Sequence, residues 1–413
     1  MTRRWAFACR ILATVSLAAC VENKESIGPD GRAQLARYVA LGTSVSMGVQ
    51  SAGVLYATQQ QSWPAQLARL ANVPFTLPLI AAPGCDAPLA APLQLQQRYG
   101  RPASVVTPVC SALLSGVTLP ASDVAINTAR TSDALRVTPE SAAVRDSAYL
   151  GKLYRRVLRP GQTQLTAAIA QKPTFVSVEL GSNELLGAAL SGLFVPNVTY
   201  VTYDVWQPQY DSIVTQLKAT GARGVLVGLP VDLTKFPSFR LGSEIYAERT
   251  TLAALNIAVA ANCQNSPNYI FVTSKLATAL TIAATRPPTN PYSLSCADTV
   301  GQDNIVTPAN AATLQAQVDQ MNAHIKQLAD QNGFACFRLE ALYGVARPET
   351  FSIASVLSTD TPFGPLISLD GVHPSGRGST TLALAAVRAI NAKYGLGIPE
   401  PAGIVPIAAG AAC

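Results

Sequence analysis

The stretch RYVALGTSVS, residues 37–46, joins a short apolar run to an abrupt turn rich in glycine and serine. The apolar part, residues 37–41, predicts a buried strand of a parallel sheet. The same order recurs at residues 174–184, where TFVSVEL precedes GSNE, and residues 224–230, GVLVGLP, form the clearest strand pattern of all. This recurrence predicts a parallel sheet, provided that helices connect the strands.

Helical patterns do occupy the intervening chain. Helices are predicted at residues 63–70, 210–219, 311–331 and 378–394. Two more strands are predicted, at residues 75–80, where Pro78 would restrict the strand to a sheet edge, and at residues 335–339. The alternation predicts an α/β fold, a three-layer α/β/α sandwich with a mainly parallel sheet of about five strands. We interpret residues 35–413 as a single domain with insertions at about 86–160 and 263–310.

The first residues of the chain have the composition of an export signal. Three arginines flank the apolar residues 11–19, which are too few to span a membrane. The sequence LAAC at residues 17–20 resembles a bacterial lipobox, which implies a signal peptide over residues 1–19 and lipidation of Cys20. An ordinary signal peptide, with Cys20 incidental, is the alternative. Residues 20–34 then form a tether, and the protein is expected at the cell envelope, anchored to a membrane and facing the periplasm or outer membrane.

Six further cysteines suggest disulfide bonds, which suit an exported protein. Proximity in sequence favours Cys85–Cys110 and Cys263–Cys296, which leaves Cys336 for Cys413. No cysteine or histidine spacing is typical of a zinc site, so neither a metal nor another cofactor is expected.

The charge of the chain argues against a nucleic-acid partner. The formal net charge is +6, and three of the basic residues lie in the leader. The remaining charge is small and contains no basic cluster. Charged residues make up only 13% of the chain and hydrophobic residues 49%, as in a protein with a large core.

Only two histidines are available as a general base. His373 lies in DGVHP, residues 370–374, whereas His324 lies in a polar helical pattern that predicts a surface helix. A serine hydroxyl needs an adjacent base to become a nucleophile, and histidine has the suitable pKa. Asp370, three residues before His373, could orient the imidazole. A surface Asp-Gly turn with an exposed histidine is the alternative.

Candidate partners for His373 follow the predicted strands. Ser44 lies in the compact turn after the first strand, and Gly84 and Asn183 each follow another predicted strand. The carboxyl ends of parallel strands share one edge, where active sites collect. Asn183 could donate a hydrogen bond to a transition-state oxygen, and Gly84 could do so through its amide. Taken singly, these residues could also form a helix cap, an Asx turn and a plain glycine turn.

Together, these motifs resemble the four blocks of the SGNH (GDSL) hydrolases along the whole mature chain. The resemblance implies a flavodoxin-like fold, with Ser44 as nucleophile, His373 as base and Asp370 as its partner. It also implies an oxyanion hole from the amides of Ser44 and Gly84 and the side chain of Asn183. The expected activity is hydrolysis of carboxylic esters of small molecules, lipids or glycans through an acyl-enzyme.

The motifs depart from the family pattern at two positions. Thr43 and Glu184 stand where aspartates are usual, and Thr43 could steady the nucleophile loop less firmly. Two other functions stay open, the first because of Thr43 and the second because the same nucleophile can transfer the acyl group to an alcohol or a sugar. One is a catalytically weak lipoprotein that binds glycans or lipids in the same cleft, and the other is acyl transfer.

Overall fold

The computed structural model describes residues 28–93, 97–100, 109–299, 301–348 and 350–413. The proposed signal peptide, Cys20 and the first part of the proposed tether lie outside the described residues. The last part of the tether forms a short helix, Pro29–Gln34, and Leu35 after it is fully buried.

The central sheet of the described chain has four strands, all parallel, in the order β1-β2-β3-β9. The nine strands found in the described ranges are β1 (Tyr38–Gly42), β2 (Phe175–Glu179), β3 (Arg223–Gly228), β4 (Phe239–Leu241), β5 (Ile257–Val259), β6 (Tyr269–Phe271), β7 (Tyr292–Leu294), β8 (Ile305–Val306) and β9 (Ala335–Arg338). The predicted strands near residues 37, 174, 224 and 335 are confirmed, and so is the α/β class with a parallel sheet.

The helices in the same ranges are α1 (Pro29–Gln34), α2 (Ser44–Met47), α3 (Tyr56–Gln59), α4 (Trp63–Ala71), α5 (Thr131–Arg136), α6 (Pro139–Arg145), α7 (Leu150–Val157), α8 (Gln164–Ala170), α9 (Asn183–Ser191), α10 (Tyr203–Ala219), α11 (Gly242–Ala247), α12 (Arg249–Ala253), α13 (Val272–Ala283), α14 (Pro308–Asn332), α15 (Glu340–Ala346), α16 (Ile353–Ser358) and α17 (Gly376–Tyr394). The four predicted helices correspond to α4, α10, α14 and α17.

Helices cover both faces of the sheet. Helices α4 and α17 pack together against β9, whereas α8, α10 and α14 form a second group that contacts β1 and β3. Every residue of β1 and β2 is buried, as expected for strands covered on two sides. The long helix α17 begins where the Ser375 hydroxyl accepts the Gly378 N–H and ends at Gly395, whose φ of 64° suits glycine.

The predicted strand at residues 75–80 is wrong. Pro78 has no N–H to donate, and the Leu79 N–H bonds to the Leu77 carbonyl, which turns the chain immediately after the proline. Residues 122–126 take the place beside β1 instead. The Ala40 N–H donates to Ser122 O, and Ile126 N–H donates to the Gly42 carbonyl. This segment lies within the predicted insertion at 86–160.

The second departure from the alternation begins earlier than predicted. Between β3 and α14, the chain forms a small antiparallel sheet, β4-β6-β8, and the parallel pair β5-β7. This region starts at Phe239 rather than at residue 263, because β4 pairs with β6. Helix α13 follows β6 directly and contributes to the cavity described below.

The three predicted disulfides are confirmed: Cys85–Cys110, Cys263–Cys296 and Cys336–Cys413. The third ties the end of the chain to β9. Disulfides of this kind are typical of exported proteins. Among the helices that the structure describes, none is both apolar and long enough to cross a bilayer.

Candidate active site

Ser44 lies at the carboxyl end of β1 and is the first residue of the short helix α2. The parallel register pairs Gly42 with Glu179, so the turn after β1 lies directly beside the end of β2. A side chain at Gly42 would collide with the Ser46 hydroxyl, 2.6 Å from an ideal Cβ. The glycine therefore allows the chain to fold tightly enough to present Ser44.

Glu179 braces this turn, a role that no local sequence pattern indicates. Its carboxylate accepts the Thr43 N–H at 3.0 Å and the Ser46 N–H at 3.3 Å. It also accepts both hydroxyl groups, Thr43 Oγ1 at 2.8 Å and Ser46 Oγ at 3.1 Å. These hydrogen bonds reach the turn on both sides of Ser44. Thr43 thus gains a firm partner in the adjacent strand.

The buried position of Glu179 changes its acidity. Burial raises its pKa to about 7, although the four hydrogen bonds from Thr43 and Ser46 counteract part of that effect. The proton is therefore retained in the folded protein well above the pH at which an unfolded chain releases it. No charged partner offsets the burial within the described residues.

We expect Glu179→Gln to remove a pH dependence of stability. Between pH 4.5 and about 7 the unfolded chain loses this proton first, so the free energy of unfolding falls as pH rises. The full loss is about 3 kcal/mol for a shift of this size. The glutamine amide can donate to Thr43 Oγ1 while its oxygen accepts the two backbone N–H groups. Stability of the variant relative to the natural protein should thus increase from pH 4.5 to 7.5.

Urea unfolding of both proteins at several pH values measures the difference between their free energies of unfolding. The contributions of all other titrating groups cancel in this difference, because both proteins contain them. A constant difference across that range would contradict the assigned pKa shift. Glu179→Ala, which leaves the two N–H groups buried without acceptors, should be less stable at every pH.

His373 and Asp370 lie together on a clamped loop. The Ser375 N–H donates to Leu366 O, and the Ser368 N–H donates to the His373 carbonyl. Gly371 adopts a φ of 74°, and a Cβ there would lie 2.4 Å from the Ser238 Cβ. Glycine is required at this position for both reasons.

The Asp370 carboxylate holds the imidazole of His373. His373 Nδ1 lies 2.7 Å from Asp370 Oδ2, while Asp370 Oδ1 accepts the N–H groups of Val372 and His373. The Ala52 N–H also donates to Oδ2. Burial alone raises the pKa of Asp370, but attraction to His373 and these hydrogen bonds outweigh it and leave the pKa below its usual value. A carboxylate at Nδ1 keeps the proton on that nitrogen and leaves Nε2 free to accept another.

Asn183 begins α9, immediately after the turn that follows β2. One hydrogen of its side-chain amide is donated to the Ala129 carbonyl at 2.9 Å. Because the amide nitrogen carries two hydrogens, this bond fixes the orientation and leaves one hydrogen for another acceptor.

The structure brings Ser44, Asn183 and His373 to the same two cavities. The first is a niche of about 10 Å³ with mainly apolar walls, including Leu186, Phe236 and Val372. The second is an open cavity of about 780 Å³, which Asp370 also lines. Ser44 is 4% exposed, and its hydroxyl has no hydrogen-bond partner in the described part of the chain.

Gly84 does not join this group. Its N–H points to Ser111 Oγ at 3.4 Å, and the two cavities are lined without it. Thr128 lines the larger cavity instead, at the end of the segment beside β1. It has a φ of 65°, and its N–H has no acceptor among the described residues. The apolar run at residues 124–126 indicates this segment in the sequence, within the predicted insertion at 86–160.

The remaining candidates lie elsewhere. His324 is 7% exposed, so the predicted surface position is wrong; its Nε2 pairs with Asp211 at 2.6 Å and its ring packs on Trp206. Glu184 is buried and accepts the Thr131 N–H. Burial raises the pKa of Glu184.

Neither a protein-family model nor a curated protein sequence matches the chain. Several solved structures are similar at low identity. Axe2, an acetylxylan esterase from Geobacillus stearothermophilus, has a TM-score of 0.36 and 12% identity over 86% of this chain and 93% of that one. TesA has a TM-score of 0.34 and 13% identity, covering 86% and 98%. LAE5, an alpha/beta hydrolase enzyme from the metagenome of Lake Arreo, Spain, has a TM-score of 0.34 and 10% identity, covering 85% and 93%.

Proposed function

We propose that the protein is a serine esterase of the SGNH type that cleaves carboxylic esters through an acyl-enzyme on Ser44. The observation that carries the proposal is the convergence of Ser44, Asn183 and the Asp370–His373 pair on the same cavities. Each group suits one step of acyl transfer: nucleophile, oxyanion donor and oriented base.

In the proposed reaction, His373 Nε2 takes the Ser44 proton as the Ser44 oxygen attacks the ester carbonyl. The developing oxyanion is stabilised by the free amide hydrogen of Asn183 and the N–H groups of Ser44 and Thr128. His373 then gives the proton to the leaving alcohol, and water attacks the acyl-enzyme by the same route. The Ser44–His373 hydrogen bond is expected to form when substrate binds, since such bonds often tighten only then.

The sizes of the two cavities suggest which one holds the acyl part of the ester and which one holds the alcohol part. The niche beside Ser44 is comparable in volume to the space that holds about one water molecule. At that size it admits no more than the methyl end of an acetyl group, so we propose that the open cavity takes the alcohol part, which can belong to a small molecule, a lipid or a glycan. An acceptor alcohol bound there in place of water would turn hydrolysis into acyl transfer.

A purely binding function is less well supported, because the only reason for it was the threonine at position 43, which could have left the turn at Ser44 poorly braced. The hydrogen bonds of Thr43 to Glu179 supply the bracing that an aspartate would have given. Turnover of p-nitrophenyl acetate and butyrate, measured for the natural protein and for Ser44→Ala, tests the two functions. Equal rates in both proteins would favour the binding function.

We also propose export and anchoring through a lipid on Cys20, on the basis of the leader composition and the three disulfides. Cys20→Ser is expected to release the protein from the membrane fraction into the soluble fraction of an expressing bacterium. Diacylation supplies the two chains that stable anchoring requires. Detergent phase partition of both proteins, with mass spectrometry of the N-terminal peptide, measures the effect. An unmodified Cys20 in the natural protein would contradict the anchor.

A further inference from the structure

One guanidinium group in the lining of the larger cavity forms no ion pair within the described part of the chain. Arg98 and Arg130 both line it. The Arg98 guanidinium lies 3.4 Å from the Asp86 carboxylate and donates to the Ala87 carbonyl at 2.6 Å. The carboxylate of Asp370, which also lines the cavity, is hydrogen-bonded to His373. The Arg130 guanidinium forms no hydrogen bond or ion pair with any residue that the structure describes.

Arg130 is held close to the reacting groups by its backbone. It directly follows Ala129, whose carbonyl accepts the Asn183 amide, and it is the N-cap of α5. Its Nη2 lies 3.6 Å from an ideal Cβ built on Gly187. Gly187 lies one turn of α9 beyond Asn183, about 6 Å along the helix axis, so the guanidinium lies beside the helix that carries the proposed oxyanion donor.

Two acidic groups lie near Arg130, and neither forms an ion pair with its guanidinium in the described chain; the second, Glu184, keeps one buried carboxylate oxygen without a hydrogen-bond partner. Asp133 accepts the Arg130 N–H through one oxygen and pairs with Arg145 at 2.9 Å through the other. Glu184 is fully buried and accepts the Thr131 N–H. Burial raises the pKa of Glu184, which favours its neutral form, while the charge of Arg130 opposes this effect.

A guanidinium group stays protonated and positively charged in a protein. In the open cavity, water can satisfy its donors. A substrate that fills the cavity displaces this water and leaves buried donors unpaired unless it supplies acceptors. The planar donor array of arginine pairs best with an anionic oxygen group, a carboxylate or a phosphate.

We infer that the preferred substrates are esters whose alcohol part carries an anionic oxygen group, which Arg130 binds while Ser44 attacks the carbonyl. This inference rests on the proposed esterase function. It adds a substrate class to that function and assigns Arg130 as the residue that selects it.

Three acetyl esters with matched ring sizes test the inference: 4-acetoxybenzoate, 4-acetoxyphenyl phosphate and neutral 4-acetoxybenzamide. For each, kcat/KM is measured in the natural protein and in Arg130→Gln. The ratio of anionic to neutral ester should fall about 10- to 100-fold in Arg130→Gln, as expected for hydrogen bonds to a charged group. Dividing the ratios of the two proteins cancels the intrinsic reactivity of each ester. Comparison of the carboxylate with the phosphate shows which anion the site prefers.

Arg136→Gln is the matched control, because Arg136 is an exposed residue of α5 outside the cavity lining. It makes the same charge change and should leave the ratio unaltered. Arg130→Lys keeps the charge without the planar donor pair and should give an intermediate ratio. An unchanged ratio in Arg130→Gln, or an equal fall in Arg136→Gln, would overturn the inference.

Binding measurements separate this inference from the proposed function. Calorimetric titration of 4-hydroxybenzoate and 4-hydroxybenzamide into Ser44→Ala requires no turnover. Weaker binding of the carboxylate after Arg130→Gln is added supports the anion site even if no ester is hydrolysed. Hydrolysis of the neutral ester by the natural protein, with no difference between the two ligands, would reject the anion site and keep the esterase.

Discussion

Replacing Ser44 with alanine is expected to lower kcat for p-nitrophenyl acetate by about 10⁴-fold or more. The hydroxyl is the only proposed nucleophile, and its loss removes the acyl-enzyme pathway altogether. KM should change little, because the walls of both cavities remain. The residual rate reflects binding and the oxyanion donors alone.

The variant Ser274→Ala is a suitable control, since it removes another hydroxyl from the lining of the larger cavity. Its kcat should stay within about threefold of the natural value, because the change removes at most one neutral hydrogen bond and none of the proposed reacting groups. Labelling with a fluorophosphonate probe, followed by peptide mapping, should modify one peptide, which contains Ser44. A probe adduct on any other serine would assign the nucleophile elsewhere.

Asp370→Asn is expected to lower kcat by about 10⁴-fold without unfolding the protein. In the natural protein the carboxylate accepts the N–H groups of Val372, His373 and Ala52 together with His373 Nδ1. Asparagine has one acceptor oxygen. If that oxygen keeps the bonds to Val372 and His373, its NH₂ group faces Nδ1 and forces the proton onto Nε2. The imidazole can then no longer accept the Ser44 proton.

This effect has a spectroscopic signature. A strongly hydrogen-bonded Nδ1 proton of His373 should appear far downfield in the proton NMR spectrum of the natural protein and be absent from Asp370→Asn. The second histidine, His324, pairs with Asp211 and serves as an internal reference in both proteins. Retention of more than a tenth of the natural kcat would show that Asp370 does not orient the base.

Local patterns were sufficient for much of the site. Ser44, Asn183 and His373 each follow a glycine by two residues, and the scarcity of histidine restricted the choice of a candidate base. The contact between Asp370 and His373 spans three residues, so it depends on one loop. Such short-range features are encoded by neighbouring residues and need no knowledge of the tertiary fold.

Other features depend on residues that are distant in sequence. Thr128 lines the larger cavity and Gly84 does not, because residues 122–126, and not residues 75–80, pair with β1. That choice depends on competition between segments for one sheet edge, in which Pro78 is a disadvantage. In the sequence, Glu179 looks like an ordinary strand residue. Only the pairing of β1 with β2 places it beside Thr43, which is 136 residues away. His324 looked exposed because a polar helical pattern does not show that α10 covers it.

The sequence by itself therefore predicted the alternation of strands and helices, favoured the three cysteine pairs and indicated the residues that we propose as nucleophile, base and oxyanion donor. Only the tertiary structure decided which segment pairs with the edge of β1, which carboxyl group braces the turn at Ser44 and which cavity arginine forms no ion pair with the described residues. The physical reason is that periodicity and turn chemistry act over a few residues. Strand pairing, burial and charge compensation are properties of groups that meet only when the chain is folded.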